Sequence, residues 1–211
     1  MVLLFDDGGQ LNLSNVFREE TMDLPFITIV TGLPRSGTSV MMQAIEAGGI
    51  PALTDNIRTA DEDNPKGYYE YEPVKKTRED PSWLKKARGK VVKMVYRLLY
   101  DLPRTYEYRV VFMQRSLEEI LASQKIMLEH RNEKGAKVSE EEMARLFKTE
   151  LKKIEQWIAG RKCLSILSVD YKQMIESPRK QCKRVNKFLG GVLDTDAMIA
   201  VVDPSLYRNR R

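Results

Sequence analysis

The sequence predicts an α/β fold with a mostly parallel central sheet flanked by helices. Three observations predict it. Short apolar runs recur along the chain without the polar–apolar alternation of a half-exposed strand, as Phe26–Val30 and Cys163–Val169 show. Segments with helical apolar spacing separate these runs. The first run also empties directly into a glycine-containing turn that opens a helix, which is the first half of a βαβ unit.

Taken in order, residues 1–24 have no sustained period and read as a loose N-terminal arm ahead of one domain over residues 25–211. The first strand is Phe26-Ile27-Thr28-Ile29-Val30. Val40, Met41, Ala44 and Ile45 then give a helix, closed by Gly48-Gly49. Residues 51–88 are polar and punctuated by Pro51, Pro65, Pro73 and Pro81, so they read as loop and broken helix carried on the scaffold. Lys90–Val95 and Tyr108–Met113 are the second and third strands. Ser116 with Glu119 forms a capping box, with Ser as N-cap and Glu at N3, and Leu117, Ile120, Leu121, Gln124 and Leu128 continue the helix. Ser139 and Glu142 repeat the box ahead of a long helix whose apolar face includes Met143, Phe147, Leu151, Ile154 and Trp157. Cys163–Val169 is the fourth strand. A last helix runs from Pro178 to Leu189, with proline at its start and Gly190-Gly191 past its end. In such folds ligands bind at the carboxyl ends of the strands.

The composition excludes more than it asserts. The 211 residues carry 35 Lys and Arg against 30 Asp and Glu, a surplus of +5 that favours anionic ligands but is too interspersed to mark a nucleic-acid binder. One histidine and two cysteines, Cys163 and Cys182, cannot assemble a Cys₄ or Cys₂His₂ zinc site. A Ser-His-Asp mechanism would have to run through His130, inside the charged run Glu129-His130-Arg131. Met1-Val2-Leu3-Leu4-Phe5 is too short for a signal-peptide core, and no stretch reaches a membrane span of about 18 apolar residues. The expectation is a cytoplasmic protein with reduced thiols.

The chemistry centres on Gly32-Leu33-Pro34-Arg35-Ser36-Gly37-Thr38-Ser39. This is the GxxxxG frame of a phosphate-binding loop, in which successive backbone N–H groups converge on an anion at a helix N-terminus. Thr38 stands where a nucleoside-triphosphate kinase has its lysine, and the cation is Arg35, within the loop. Such a loop suits a less highly charged group held without a metal. A strand-to-helix turn with no ligand, or a small P-loop kinase, are the other readings of the loop alone.

The string LPRSGTS, following a strand and opening a helix, resembles the 5′-phosphosulfate-binding loop of the sulfotransferase family, which carries Lys or Arg at the position of Arg35. Val110–Arg115 with Ser123 resembles the family's second motif, in which an Arg at a strand end and a Ser eight positions on bind the 3′-phosphate. Ser168-Val169-Asp170-Tyr171, Ser177-Pro178 and Phe188-Leu189-Gly190 resemble a third stretch, whose Tyr lies by the adenine in relatives. Asn64-Pro65-Lys66-Gly67-Tyr68-Tyr69-Glu70 is similar to a string in small bacterial-type members, and is also good turn chemistry. The matches span residue 26 to about residue 190.

The resemblance implies a P-loop nucleotide-hydrolase-like architecture of sulfotransferase type. It implies 3′-phosphoadenosine 5′-phosphosulfate (PAPS) as sulfonate donor, the bisphosphate PAP as product, and no metal. Arg35, Ser36, Gly37, Thr38, Ser39, Arg115, Ser123 and Tyr171 are the expected nucleotide-binding residues. Charge growing on the leaving phosphate calls for a cation, for which Arg35 is the first candidate and Lys93, set among valines, the second. The acceptor proton calls for a base, and without a suitable histidine a carboxylate is expected: Glu70 first, with Asp55 and Glu72 behind it. Arg208 or Arg210 in the basic tail could reach the nucleotide. The acceptor is a small-molecule, carbohydrate or lipid hydroxyl or amine. A non-catalytic nucleotide-binding module of the same fold is the remaining alternative.

Overall fold

The computed structural model describes residues 24–55, 57, 68–130 and 139–206. Most of the expected N-terminal arm, Asn64 to Gly67, and Arg208 and Arg210 lie outside these residues. Four strands form one sheet: β1 (Phe26–Gly32), β2 (Val91–Lys93), β3 (Glu107–Gln114) and β4 (Leu164–Asp170). Their order is β2-β1-β3-β4, and every neighbouring pair is parallel. This is the expected α/β sheet.

Parallel strands need covered faces, and the side-chain period of two divides the apolar residues between two cores. All seven residues of β1 are buried. Val30, Val111, Met113 and Val169 join a core with Met41, Met42 and Ile45 of α1 (Thr38–Ala47). Ile27, Ile29, Val110 and Phe112 join a second core on the opposite face. Its cover includes Trp83 and Leu84 of the 3₁₀ turn Pro81–Ala87, Leu99 of the turn Tyr96–Asp101, Ile120 of α2 (Leu117–His130) and Ile154 of α3 (Glu140–Ala159). The first face is completed by α4 (Tyr171–Glu176), α5 (Pro178–Phe188) and α6 (Thr195–Ala200), through Met174, Cys182, Val185 and Met198.

Boundaries shift where local chemistry intervenes. The second strand, expected over 90–95, ends at Lys93, because the chain turns at Val95 into the 3₁₀ turn Tyr96–Asp101. Met94 still donates its N–H to Val30 O at 3.0 Å, which aims this exit beside the end of β1. At the second capping box Ser139 caps the helix as expected, its Oγ accepting Glu142 N–H at 3.2 Å. In the first, Glu119 N–H donates to Ser116 Oγ at 3.3 Å, and Glu119 Oε2 accepts from Arg115 Nε at 2.8 Å, a charge-assisted bond.

Candidate functional site

The register aligns the carboxyl ends of the three longer strands, with Gly32 opposite Met113 and Gln114 opposite Asp170. The loop leaving β1 and the residues just past β3 and β4 therefore meet at one edge. Lys93, level with Val30, closes the same edge on β2.

The loop is shaped by close approach. A Cβ at Gly32 would stand 2.6 Å from Met113 O, and one at Gly37 would stand 2.7 Å from Tyr171 Cε2. Gly37 has φ 92°, left-handed, and caps α1 with backbone alone. Among the described residues Arg35 is the non-glycine residue with positive φ, at 67°, a conformation that costs about 1–2 kcal/mol for an L-residue. Its surroundings hold it there. Arg115 Nη1 donates to Arg35 O at 3.1 Å, and Arg35 Nε donates to Ser123 Oγ at 2.9 Å. The loop arginine, the strand-end arginine and the helix serine, far apart in sequence, thus share one hydrogen-bonded cluster.

Arg115 is itself framed. Glu119 Oε2 accepts from its Nε at 2.8 Å, with side-chain exposures of 8% for Arg115 and 5% for Glu119. The Tyr171 ring lies 4.6 Å from the guanidinium carbon. Tyr171 is buried, and its phenol is pushed above its ordinary pKa mainly by that burial, against the opposing pull of Arg115. Ser36 is fully buried, and its Oγ has no hydrogen-bond partner among the described residues. Buried hydroxyls are nearly always partnered, so this one fits a loop built around an anion. Thr38 and Ser39 form the first turn of α1, where backbone N–H groups lack intrahelical acceptors.

Opposite the loop, Lys93 Nζ stands 5.8 Å from the Tyr68 ring centroid. The three carboxylate candidates differ in how they are used. Asp55 spends both oxygens on backbone, accepting Glu72 N–H at 2.7 Å and Ile57 N–H at 3.1 Å. Glu72 is exposed and pairs with Lys75. Glu70 has its backbone fixed, since its carbonyl accepts from Thr54 Oγ1 at 3.0 Å and from Asp55 N–H at 3.2 Å, and its side chain is half-buried. Tyr69 OH donates to Glu46 Oε2 at 2.7 Å and ties this segment to α1. Burial, followed by that hydrogen bond, raises the Tyr69 pKa.

Glu119 is the residue that sequence reasoning missed. Its capping-box position explained it fully on paper, although an arginine just ahead of the helix and four residues before a first-turn acid was the available signal.

No protein-family model matches the chain, and no curated protein matches it in sequence. Its structure does match solved ones. The sulfotransferase domain of the Synechococcus PCC 7002 olefin synthase superimposes with a TM-score of 0.52 at 13% identity, over 91% of this chain and 90% of that one. A sulfotransferase from Mycobacterium tuberculosis H37Rv gives 0.56 at 16% identity, over 85% and 71%. The sulfotransferase domain from the curacin biosynthetic pathway gives 0.50 at 14%, over 86% and 79%. The chain has the fold of these proteins.

Proposed function

We propose that the chain is a sulfotransferase that moves a sulfonate group from PAPS to a hydroxyl or amine acceptor. The observation that carries this reading is the cluster of Arg35, Arg115 and Ser123 at the carboxyl edge of the sheet, joined by hydrogen bonds of 2.9 and 3.1 Å. The buried, unpartnered Ser36 hydroxyl fits an anion in the loop, and the shared fold agrees.

PAPS, when bound, supplies an electrophilic sulfur whose bond to the bridging phosphate oxygen breaks as the acceptor oxygen or nitrogen bonds to it. The loop from Gly32 to Gly37, with Ser36, Thr38 and Ser39, binds the 5′ end through N–H and hydroxyl donors. Arg115 and Ser123 bind the 3′-phosphate, the arginine through its planar fork. Tyr171 walls the pocket by packing on Gly37 and Arg115. Arg35 and Lys93 oppose charge that accumulates on the leaving oxygen. Glu70 takes the acceptor's proton, its half-buried side chain carried on a backbone that Thr54 and Asp55 hold in place.

Calorimetry with adenosine 3′,5′-bisphosphate tests the reading against 5′-AMP. The bisphosphate binds more tightly, and Arg115→Lys, which keeps the charge and loses the fork, weakens it by about 10-fold or more. Arg35→Ala lowers turnover by about 100-fold. Equal affinity for the two nucleotides would falsify the proposal.

A further inference from the structure

α5 carries five cations, Arg179, Lys180, Lys183, Arg184 and Lys187, and no acidic residue. All five are exposed, while Gln181, Cys182 and Val185 face the core. The five equal the whole molecule's surplus: setting them aside leaves 30 cations against 30 anions. Arg179 pairs with Asp196 at 3.2 Å. Among the described residues no carboxylate pairs with Lys180, Lys183, Arg184 or Lys187.

The arrangement works against the helix that bears it. Arg179 and Lys180 occupy the first turn, the positive end of the helix dipole, and that turn contains no acidic residue of its own. Arg179 with Lys183, Lys180 with Arg184, and Lys183 with Lys187 are like-charge neighbours four residues apart, each unfavourable. Lys187 in the last turn suits the dipole and Arg184 donates to Gln181 Oε1 and Ser168 O, but helix stability accounts for neither Lys180 nor Lys183.

Arg184 and Lys187 border a groove of about 710 Å³ beside β4, which ends the sheet. Arg109, Arg184 and Lys187 supply its cations, and Ser165, Leu167 and Phe188 contribute polar edge and apolar floor. Arg109 is fixed in place, donating through Nη1 to Phe188 O at 2.6 Å and stacking 3.9 Å from the centre of the Phe26 ring. The groove is separate from the phosphate-loop edge: Ser165 lies opposite Arg109, four residues before the Met113 that faces Gly32.

We infer that the cationic face of α5 and the adjoining groove dock an acidic polypeptide segment of a partner protein. Charge complementarity selects an anionic partner. The stripe from Arg179 to Lys187 extends about 12 Å along the helix, with the spacing of carboxylates on a facing helix or strand. The apolar floor gives a polypeptide's aliphatic side chains a place that a phosphodiester chain would not use. The outer face of α5 offers no aromatic ring for base stacking and no large apolar side chain to enter a bilayer.

Fluorescence anisotropy with the full chain tests this, using a labelled polyglutamate peptide and a peptide of equal charge with leucines set between the glutamates. Both bind, the leucine-bearing peptide more tightly, and both weaken as salt is raised. Lys183→Glu reduces binding by about 10-fold, whereas Lys85→Glu on the 3₁₀ turn Pro81–Ala87 leaves it unchanged. Lys183→Glu also raises Tm by about 1–3 °C, since the introduced carboxylate relieves two repulsions at once. Absence of peptide binding, or equal binding by Lys183→Glu, overturns the inference. So does tighter binding of the native chain to oligothymidylate or to phosphatidylserine vesicles. Lys183→Gln with Lys187→Gln, both helix-compatible, repeats the comparison if charge reversal impairs folding.

Discussion

Arg115 illustrates how much a single side chain is asked to do. It donates to the carbonyl of a left-handed arginine, pairs with a buried carboxylate and stacks on a buried tyrosine. Removing Glu119 takes a buried carboxylate away from a buried guanidinium. Glu119→Ala is expected to destabilise the fold by about 3 kcal/mol, read as a lower urea midpoint with an unchanged slope. The loop glycine has a different failure mode. Gly37→Ala sets a Cβ against the Tyr171 ring on a backbone already at φ 92°. A loss of about 2 kcal/mol or more follows, together with loss of nucleotide binding by calorimetry. Arg35, Arg115 and Ser123 were legible in the sequence because the loop, strand end and helix that carry them have local signatures. Glu119 was not, because its sequence position satisfied a simpler rule and its partner is revealed only by side-chain direction.

Elements were legible in proportion to their length. β1, β3 and β4 carry apolar runs long enough to recognise, and α1 and α3 enough residues to display a period. α4 and α6, at six residues each, complete fewer than two turns and show none. Their starts are set by caps: Asp170 accepts Gln173 N–H at 2.8 Å, and Asp194 accepts the N–H groups of Asp196 and Ala197 at 2.9 and 3.0 Å. With so few internal hydrogen bonds, α6 leans heavily on that carboxylate. Asp194→Ala should cost about 1–2 kcal/mol, seen in thermal denaturation. Asp194→Asn, which retains an acceptor oxygen, should recover most of it. β2 was overread by three residues, because the valines and methionine of KVVKMV suit a strand throughout and nothing in it announces the turn at Val95.

For the whole molecule, the two-sided core makes titration of buried groups a stability matter. Tyr69, Tyr108 and Tyr171 all have phenol pKa values raised above 10.0, chiefly by burial. The folded chain then holds these protons where the unfolded chain releases them. Their contribution is complete below about pH 10 and falls as pH rises further. Tm measured across that range should drop, and Tyr108→Phe should make the drop shallower. Cys182 behaves alike: burial pushes its thiol up to about 11. It should resist iodoacetamide near neutral pH in the folded chain and react once the chain is unfolded. Among the described residues no helix is long and apolar enough to cross a membrane.

The central position of β1 has a consequence for the chain's synthesis. β1 leaves the ribosome first among the strands, yet its neighbours come from residues 91–93 and 107–114. At ordinary translation speeds about 80 further residues take roughly 4–16 s to emerge. For most of that interval, until β2 follows, a seven-residue apolar segment destined for complete burial has no strand to pair with, and its other edge waits for β3. Nascent chains arrested short of residue 107 should be digested rapidly by protease and engage chaperones, and those extended past β4 should not.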